Sequence, residues 1–408
     1  MTTPSPAQAR FPLWLIVASG CLIAAVSFGP RSAMGFFQLP VLGEKGWDRT
    51  TFSVAMAIQN LLWGFGQPLF GAFADRFGSV KALLLGAGFY AAGLVLMAFA
   101  ASPIWLHVGG GVLVGLGVAG TSFGIVLAAF ARAVTPQQRS FVFGLGTAAG
   151  SFGMFLYSPL SQAFIDAFGW VNALLIMAGM LAIIPLAAFP LAGKGEGRKA
   201  GEVDQSIREA LAEALGHRSY LLLVAGFFVC GFQVAFITAH FPAYIRDIGL
   251  EPKWGVYALM LIGLFNIVGS IASGIIGNRH SKPIFLALIY LGRSLAVTVF
   301  LWLPPSPANV MAFAVVMGLL WLSTVPPTNG LVAIMFGTRY LGMLGGIVFL
   351  SHQVGSFLGV WLGGWLYDRT GSYDVVWWLG VALGIFAAIV HWPIREQAVE
   401  RRKLAAAE

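Results

Sequence analysis

Gly71-Ala-Phe-Ala-Asp75-Arg76-Phe-Gly78 closes one long apolar run, and Gly274-Ile-Ile-Gly-Asn278-Arg279 closes another in the second half of the chain. Each ends the second apolar run of its half, so the pair reads as a duplicated unit. Six runs surround the first copy, at about 12–39, 50–74, 80–101, 104–131, 139–164 and 168–191. Six surround the second, at about 219–246, 254–277, 282–303, 308–336, 340–366 and 373–393. A span needs roughly 20 mostly apolar residues, because the hydrocarbon layer is about 30 Å thick and a helix rises about 1.5 Å per residue. Every run meets that length. The expected fold is therefore all-α and integral to the membrane, with twelve transmembrane helices in two six-helix pseudo-symmetric bundles. Residues 1–191 form the first bundle and 219–394 the second. A polar linker, 192–218, joins them through an amphipathic helix around Ile207–Leu215, and 395–408 is a charged tail. Parallel repeats of this kind place a substrate between the two halves near the midplane.

Composition agrees. The 408 residues are 58% hydrophobic and 10% charged, against about 25% charge in a soluble domain. Too few charges remain to cover a soluble surface. The net charge of +8 sits at the ends of apolar runs, which is orientation bias and excludes nucleic acid as the partner. With both chain ends cytoplasmic, 17 of the 24 Lys and Arg residues lie inside, 5 outside and 2 within spans. The first run is too long for a signal-peptide core and is expected to stay as a span. Cys21 and Cys230 lie in apolar runs, so neither a disulfide framework nor a thiolate metal site is indicated, and no cofactor is expected. There is no Walker-type phosphate loop and no nucleophile constellation, so the chain does not read as an enzyme.

Gly71-x-x-x-Asp75-Arg76-x-Gly78 after a second span resembles the signature loop of the major facilitator superfamily. The resemblance implies that the acid of this loop faces a helix N-terminus and a nearby arginine, closing the cytoplasmic side. Asp75 lies on the same side as the start of the eleventh span, whose dipole favours an anion. Arg132 and Arg139 are its candidate partners, with Arg76 beside it. Ser79 and Val80 stand where further basic residues are common.

Every Asp and Glu lies in a loop, a tail or at a span end, whereas Arg31 and Arg293 lie inside spans. A charge in lipid is costly, so such residues normally face a cavity. Without an internal acid, an anionic ligand is the natural partner. Arg31 follows Pro30, which weakens the first span locally; the alternative is that it snorkels to the surface. Arg293 lies about 17 Å into the ninth span, either in a site or bonded to neighbouring carbonyls. Gln233, His240 and Tyr244 recur on one face of the seventh span, and His352-Gln353 lies near the middle of the eleventh. Either His is a candidate proton carrier or a structural donor. Asn266, Ser270 and Ser273 share a face of the eighth span. Thr324, Thr328 and Asn329 cluster where Val325-Pro326-Pro327 interrupts the tenth.

A closer resemblance rests on three segments. Ser27-Phe-Gly-Pro30-Arg31-Ser32 followed by Gly35-Phe36-Phe37 is similar to the first span of monocarboxylate transporters. In that branch a basic residue after proline contacts the carboxylate. Arg139-Ser140 with Ala149-Gly150-Ser151 resembles its fifth-span signature, and Gly363-Gly364 through Tyr373-Asp374 its final hairpin. The branch's proton-relay pair is absent: Ser270 and Asn266 stand in its places. The resemblance implies a monomeric secondary transporter of small organic anions, monocarboxylates first, in a bacterial plasma membrane, proton-linked or exchanging. The alternative is a multidrug or metabolite exporter of the same fold. A non-transporting sensor has no soluble domain here to support it.

Overall fold

The computed structural model describes residues 11–134, 136–192, 206–337 and 340–399. Among them the backbone forms helices and turns and no strand. The first crossing, α1 (Leu13–Ser32), carries Pro30 in its last turn; beyond Ala33 the chain bends through a 3₁₀ turn, Met34–Phe37, into a short helix, Gln38–Lys45. The irregular stretch begins just after Pro30, where the sequence predicts a weakened first span. The second, α2 (Arg49–Phe77), starts where the Asp48 carboxylate accepts the Thr51 N–H, and ends at Gly78, whose φ of 100° suits only glycine. Next come α3 (Ser79–Ala98) and α4 (103–133), the latter loosened into a π turn at His107–Leu113 by three consecutive glycines. A single helical stretch, Pro136–Met180, turns at Gly169 (φ 77°), and so yields α5 (136–168) and α6 (170–191).

After the linker helix Ile207–Gly216, with its Ser206–Glu209 capping box, the second half repeats the plan. It contains α7 (Arg218–Asp247), α8 (Pro252–Arg279) and α9 (Lys282–Trp302), then α10 in two pieces, Pro307–Leu320 and Val325–Phe336. The chain ends with α11 (Leu341–Thr370) and α12 (Asp374–His391). The break in α10 falls at the paired prolines, which remove two backbone donors.

Two seams join the halves. α2 runs along α11, and α5 along α8. Within the second half α7 and α11 pack backbone to backbone: a Cβ at Gly231 would strike the His352 carbonyl, and one at Gly355 the Phe228 carbonyl. The bent segment after α1 crosses to the second half, where a Cβ at Gly35 would strike the carbonyl of Thr238.

Candidate functional site

Arg31 sits where the end of α1 meets the α2–α11 seam and α7. Its guanidinium donates to the Asn60 Oδ1 and lies over the Trp63 ring, 4.5 Å from Cζ to the centroid, and over Phe28 at 5.4 Å. Asn60 is held in place by its own bond to the Met56 carbonyl, 2.8 Å. The Nε of Arg31 is buried with no partner, and among the described residues no carboxylate pairs with this side chain. The arginine turns inward, not to the surface. It borders a narrow cavity of about 20 Å³ lined by Gln59 and Asn60 of α2, Thr238 and Ala239 of α7 and Val360 of α11. Among the described residues this cation is held by an amide and two aromatic faces, beside a cavity walled by both halves, with no fixed counter-charge.

Arg293 lies elsewhere. It is wholly buried, and its N–H groups donate to the Leu320 carbonyl (3.1 and 2.7 Å), the Trp321 carbonyl and the Gln233 Oε1 (3.4 Å). These are the carbonyls left open at the C-terminus of the first piece of α10. The arginine therefore occupies the break in that helix and not the Arg31 cavity. Gln233 serves the same packing, donating to the Gly380 carbonyl at 2.9 Å.

His240 belongs to a different cluster. Its Nε2 lies 2.9 Å from the Val360 carbonyl, and its Nδ1 lies 3.1 Å from the Tyr373 hydroxyl and 3.4 Å from the Gln38 Nε2. Tyr373 in turn accepts from Arg49 Nη1 at 2.7 Å, and Arg49 is paired with Asp247. Asp368 accepts the backbone N–H groups of Arg49 (3.1 Å) and Thr50 (2.6 Å), capping the start of α2. This network ties the halves together at the face opposite the chain ends. Tyr244 packs beside it, its ring 5.4 Å from Trp377 and 6.2 Å from Tyr373.

Asn266 bridges the other seam, donating to Ser151 Oγ at 2.8 Å while its Oδ1 accepts the Leu322 N–H at 3.0 Å and the Ser270 hydroxyl at 3.1 Å. His352 is stacked on Phe349 and meets Phe227 at a tilt of 41°, with Nδ1 3.1 Å from the Gln353 Oε1. Asn329 is exposed, close to Gly345. The side chains of Asp75, Arg132 and Arg139 lie outside the described ones; Arg76 is exposed, over the ring of Phe77 at 5.2 Å.

The expected residues thus fall into several separate groups and not one. Local spacing did not single out Asn60, Thr238, Arg49 or Asp247. Asp368 and Tyr373 were visible only as part of the final hairpin motif.

Among the described residues, helices α1 to α12 fall into two like halves with a small cavity walled by both, the arrangement of a polytopic membrane transporter. The chain matches the Major Facilitator Superfamily over residues 20–360 and belongs to it. It is 26% identical to monocarboxylate transporter 13 of Bos taurus over 380 residues, 88% of this chain and 84% of that protein. It is 25% identical to the uncharacterized MFS-type transporter YcxA of Bacillus subtilis (strain 168), over 89% of this chain and 90% of that one. In fold it is similar to the crystal structure of a D-xylose-proton symporter, with a TM-score of 0.72 at 12% identity, covering 94% of this chain and 98% of that one. It is equally similar, at a TM-score of 0.73 and 12% identity, to a bacterial homolog of the human lysosomal transporter Spinster, covering 95% and 99%.

Proposed function

We propose that this chain carries small organic anions, monocarboxylates first, across a bacterial plasma membrane by alternating access of its two halves, acting as a monomer. One observation carries the reading: Arg31 borders the cavity between the halves, and among the described residues no acid pairs with it. Holding an uncompensated charge at this depth is costly, and a bound carboxylate would compensate it while accepting the free Nε–H. Its likeness to monocarboxylate transporters supports the same reading.

The excess of Lys and Arg near the chain ends assigns that face to the cytoplasm. The Arg49–Asp247 network then closes the outer face, so the arrangement is the one shut to the outside. A transported proton or an exchanged anion completes the cycle. Asn266 and Ser270 are neutral and cannot carry a proton, which leaves His240 and His352 as the candidate carriers.

The test is uptake of labelled lactate and pyruvate into proteoliposomes, with and without an imposed pH gradient, by the unaltered protein and by Arg31→Ala and Arg31→Lys. Losing the charge-assisted bonds, about 1.5–3 kcal/mol, lowers uptake at least tenfold in Arg31→Ala and less in Arg31→Lys. Undiminished uptake by Arg31→Ala overturns the reading. Transport of hydrophobic cations instead would favour the exporter.

A further inference from the structure

Three buried donors around the α2–α11 seam have no partner: Arg31 Nε, Trp63 Nε1 and Gln353 Nε2. Trp63 connects them. The Arg31 guanidinium lies over its ring, and Phe349 of the other half meets the same ring edge-on, 5.0 Å between centroids. Gln353 is one turn along α11 from Phe349, and its side chain packs on Gly64, the neighbour of Trp63; a Cβ on that glycine would come within 2.8 Å of Gln353 Cβ. The Oε1 of Gln353 already faces His352 (3.1 Å) and the Ser356 hydroxyl (3.2 Å), which fixes the amide and leaves its N–H₂ free. Phe28 and Phe349 flank the indole and are only half-buried.

Buried donors are normally bonded, so three together around one indole ask for acceptors that the protein does not supply. One is charged and two are neutral. A second carboxylate would need a second cation, and the only other intramembrane arginine has its N–H groups on carbonyls and on Gln233. A neutral acceptor, in contrast, suits an amide N–H and an indole N–H. The rings of Phe28, Trp63 and Phe349 lie among the three donors and favour a planar apolar body.

Resting on the anion reading above, we propose that the cargo is a planar monocarboxylate with a neutral hydrogen-bond acceptor at the end remote from its carboxylate. Arg31 takes the carboxylate, Trp63 and Phe349 take the ring, and Gln353 Nε2 and Trp63 Nε1 donate to the far acceptor. Gln353 and Trp63 are then the residues that set specificity, and short aliphatic acids use only part of the site.

The experiment is calorimetric titration of the full chain in nanodiscs with 4-hydroxyphenylacetate, phenylacetate and propionate, repeated on Trp63→Phe, which keeps a ring without the N–H, and on Gln353→Met. The unaltered protein is expected to bind 4-hydroxyphenylacetate at least about tenfold more tightly than phenylacetate, the discrimination of a hydrogen-bonding pocket. That ratio falls toward one in both variants. Equal affinity of the unaltered protein for the two aryl acids overturns the proposal, as does a ratio that persists in both variants or a proportional loss of both ligands. Binding of propionate without either aryl acid overturns it while leaving the anion reading intact. If no carboxylate binds at all, the anion reading falls, and this inference with it.

Discussion

Arg49 and Asp247 meet across the two halves as a bidentate pair, Nη1 to Oδ2 at 2.6 Å and Nη2 to Oδ1 at 2.8 Å. The guanidinium is also stacked on Tyr367, 3.5 Å from its centroid, so it is held on three sides by the second half. Its side chain is 11% exposed and that of Asp247 24%, enough shielding for the pair to matter. Hydrogen bonds to charged groups contribute about 1.5–3 kcal/mol. Asp247→Asn should therefore shift the balance of arrangements by roughly ten- to a hundredfold toward one open at this face. A cysteine at Met34, in the cavity wall, would then react faster with an impermeant maleimide added on the side of Arg49. The exchanged pair Arg49→Asp with Asp247→Arg should slow it again. An unchanged rate in Asp247→Asn would show that the pair does not hold the halves together.

Arg293→Met should damage stability more than recognition. The substitution leaves the Leu320 and Trp321 carbonyls without their donor, at about 1–3 kcal/mol for each unsatisfied group. Thermal unfolding in detergent should move down by several degrees, while affinity for whichever carboxylate binds stays within a few-fold. The opposite pattern, lost affinity with an unaltered melting point, would return Arg293 to the cargo site.

These two arginines also show what a sequence discloses. That both lie in apolar runs without an internal acid is plain from composition, and so is the sixfold layout of each half. Depth alone does not separate a guanidinium facing a cavity from one bonded to open carbonyls. The difference lies in where α10 breaks relative to α9, a tertiary fact, although Pro326 and Pro327 announced the break itself. Arg49 was harder still. A charge at a span end reads as an interfacial residue, and its partners Asp247 and Tyr373 come from helices distant in sequence. Asn60 carried no signal, since a lone amide in a span more often bonds between helices.

The glycine contacts give a sharper test of the α7–α11 packing. At Gly355 a side chain would run into the Phe228 carbonyl, and at Gly231 into the His352 carbonyl, both backbone atoms that cannot rotate away. Gly355→Val and Gly231→Val should reduce the folded, monodisperse fraction seen in fluorescence-detected size exclusion, since overpacking costs about 1–3 kcal/mol or more. Gly179→Ala meets nothing within 4 Å and serves as the comparison. It should be neutral or slightly stabilising, as helical glycine is about 0.5–1 kcal/mol worse than alanine. Equal behaviour of all three would contradict the close approach.

The segment after α12 is more than a solvated tail. Glu396 accepts from the Lys282 ammonium at 2.6 Å and from the Lys282 backbone N–H at 2.9 Å, so its carboxylate caps the N-terminus of α9. The Arg395 N–H donates to Ser219 Oγ at 3.1 Å, at the start of α7, and the Val399 N–H to the Met335 carbonyl at 2.9 Å, at the end of α10. One short strap thus fastens three helices at the face of the chain ends. The ion pair is partly exposed, so the charge contributes only about 0.2–1 kcal/mol and weakens with salt; the cap adds about 0.5–2 kcal/mol. Glu396→Gln, which retains an acceptor for the backbone N–H, should lower the melting temperature slightly, and less so at high salt. Glu396→Ala should lower it further and at every ionic strength. A Glu396→Ala protein as stable as the unaltered one would mean that α9 and its neighbours hold their places without the strap.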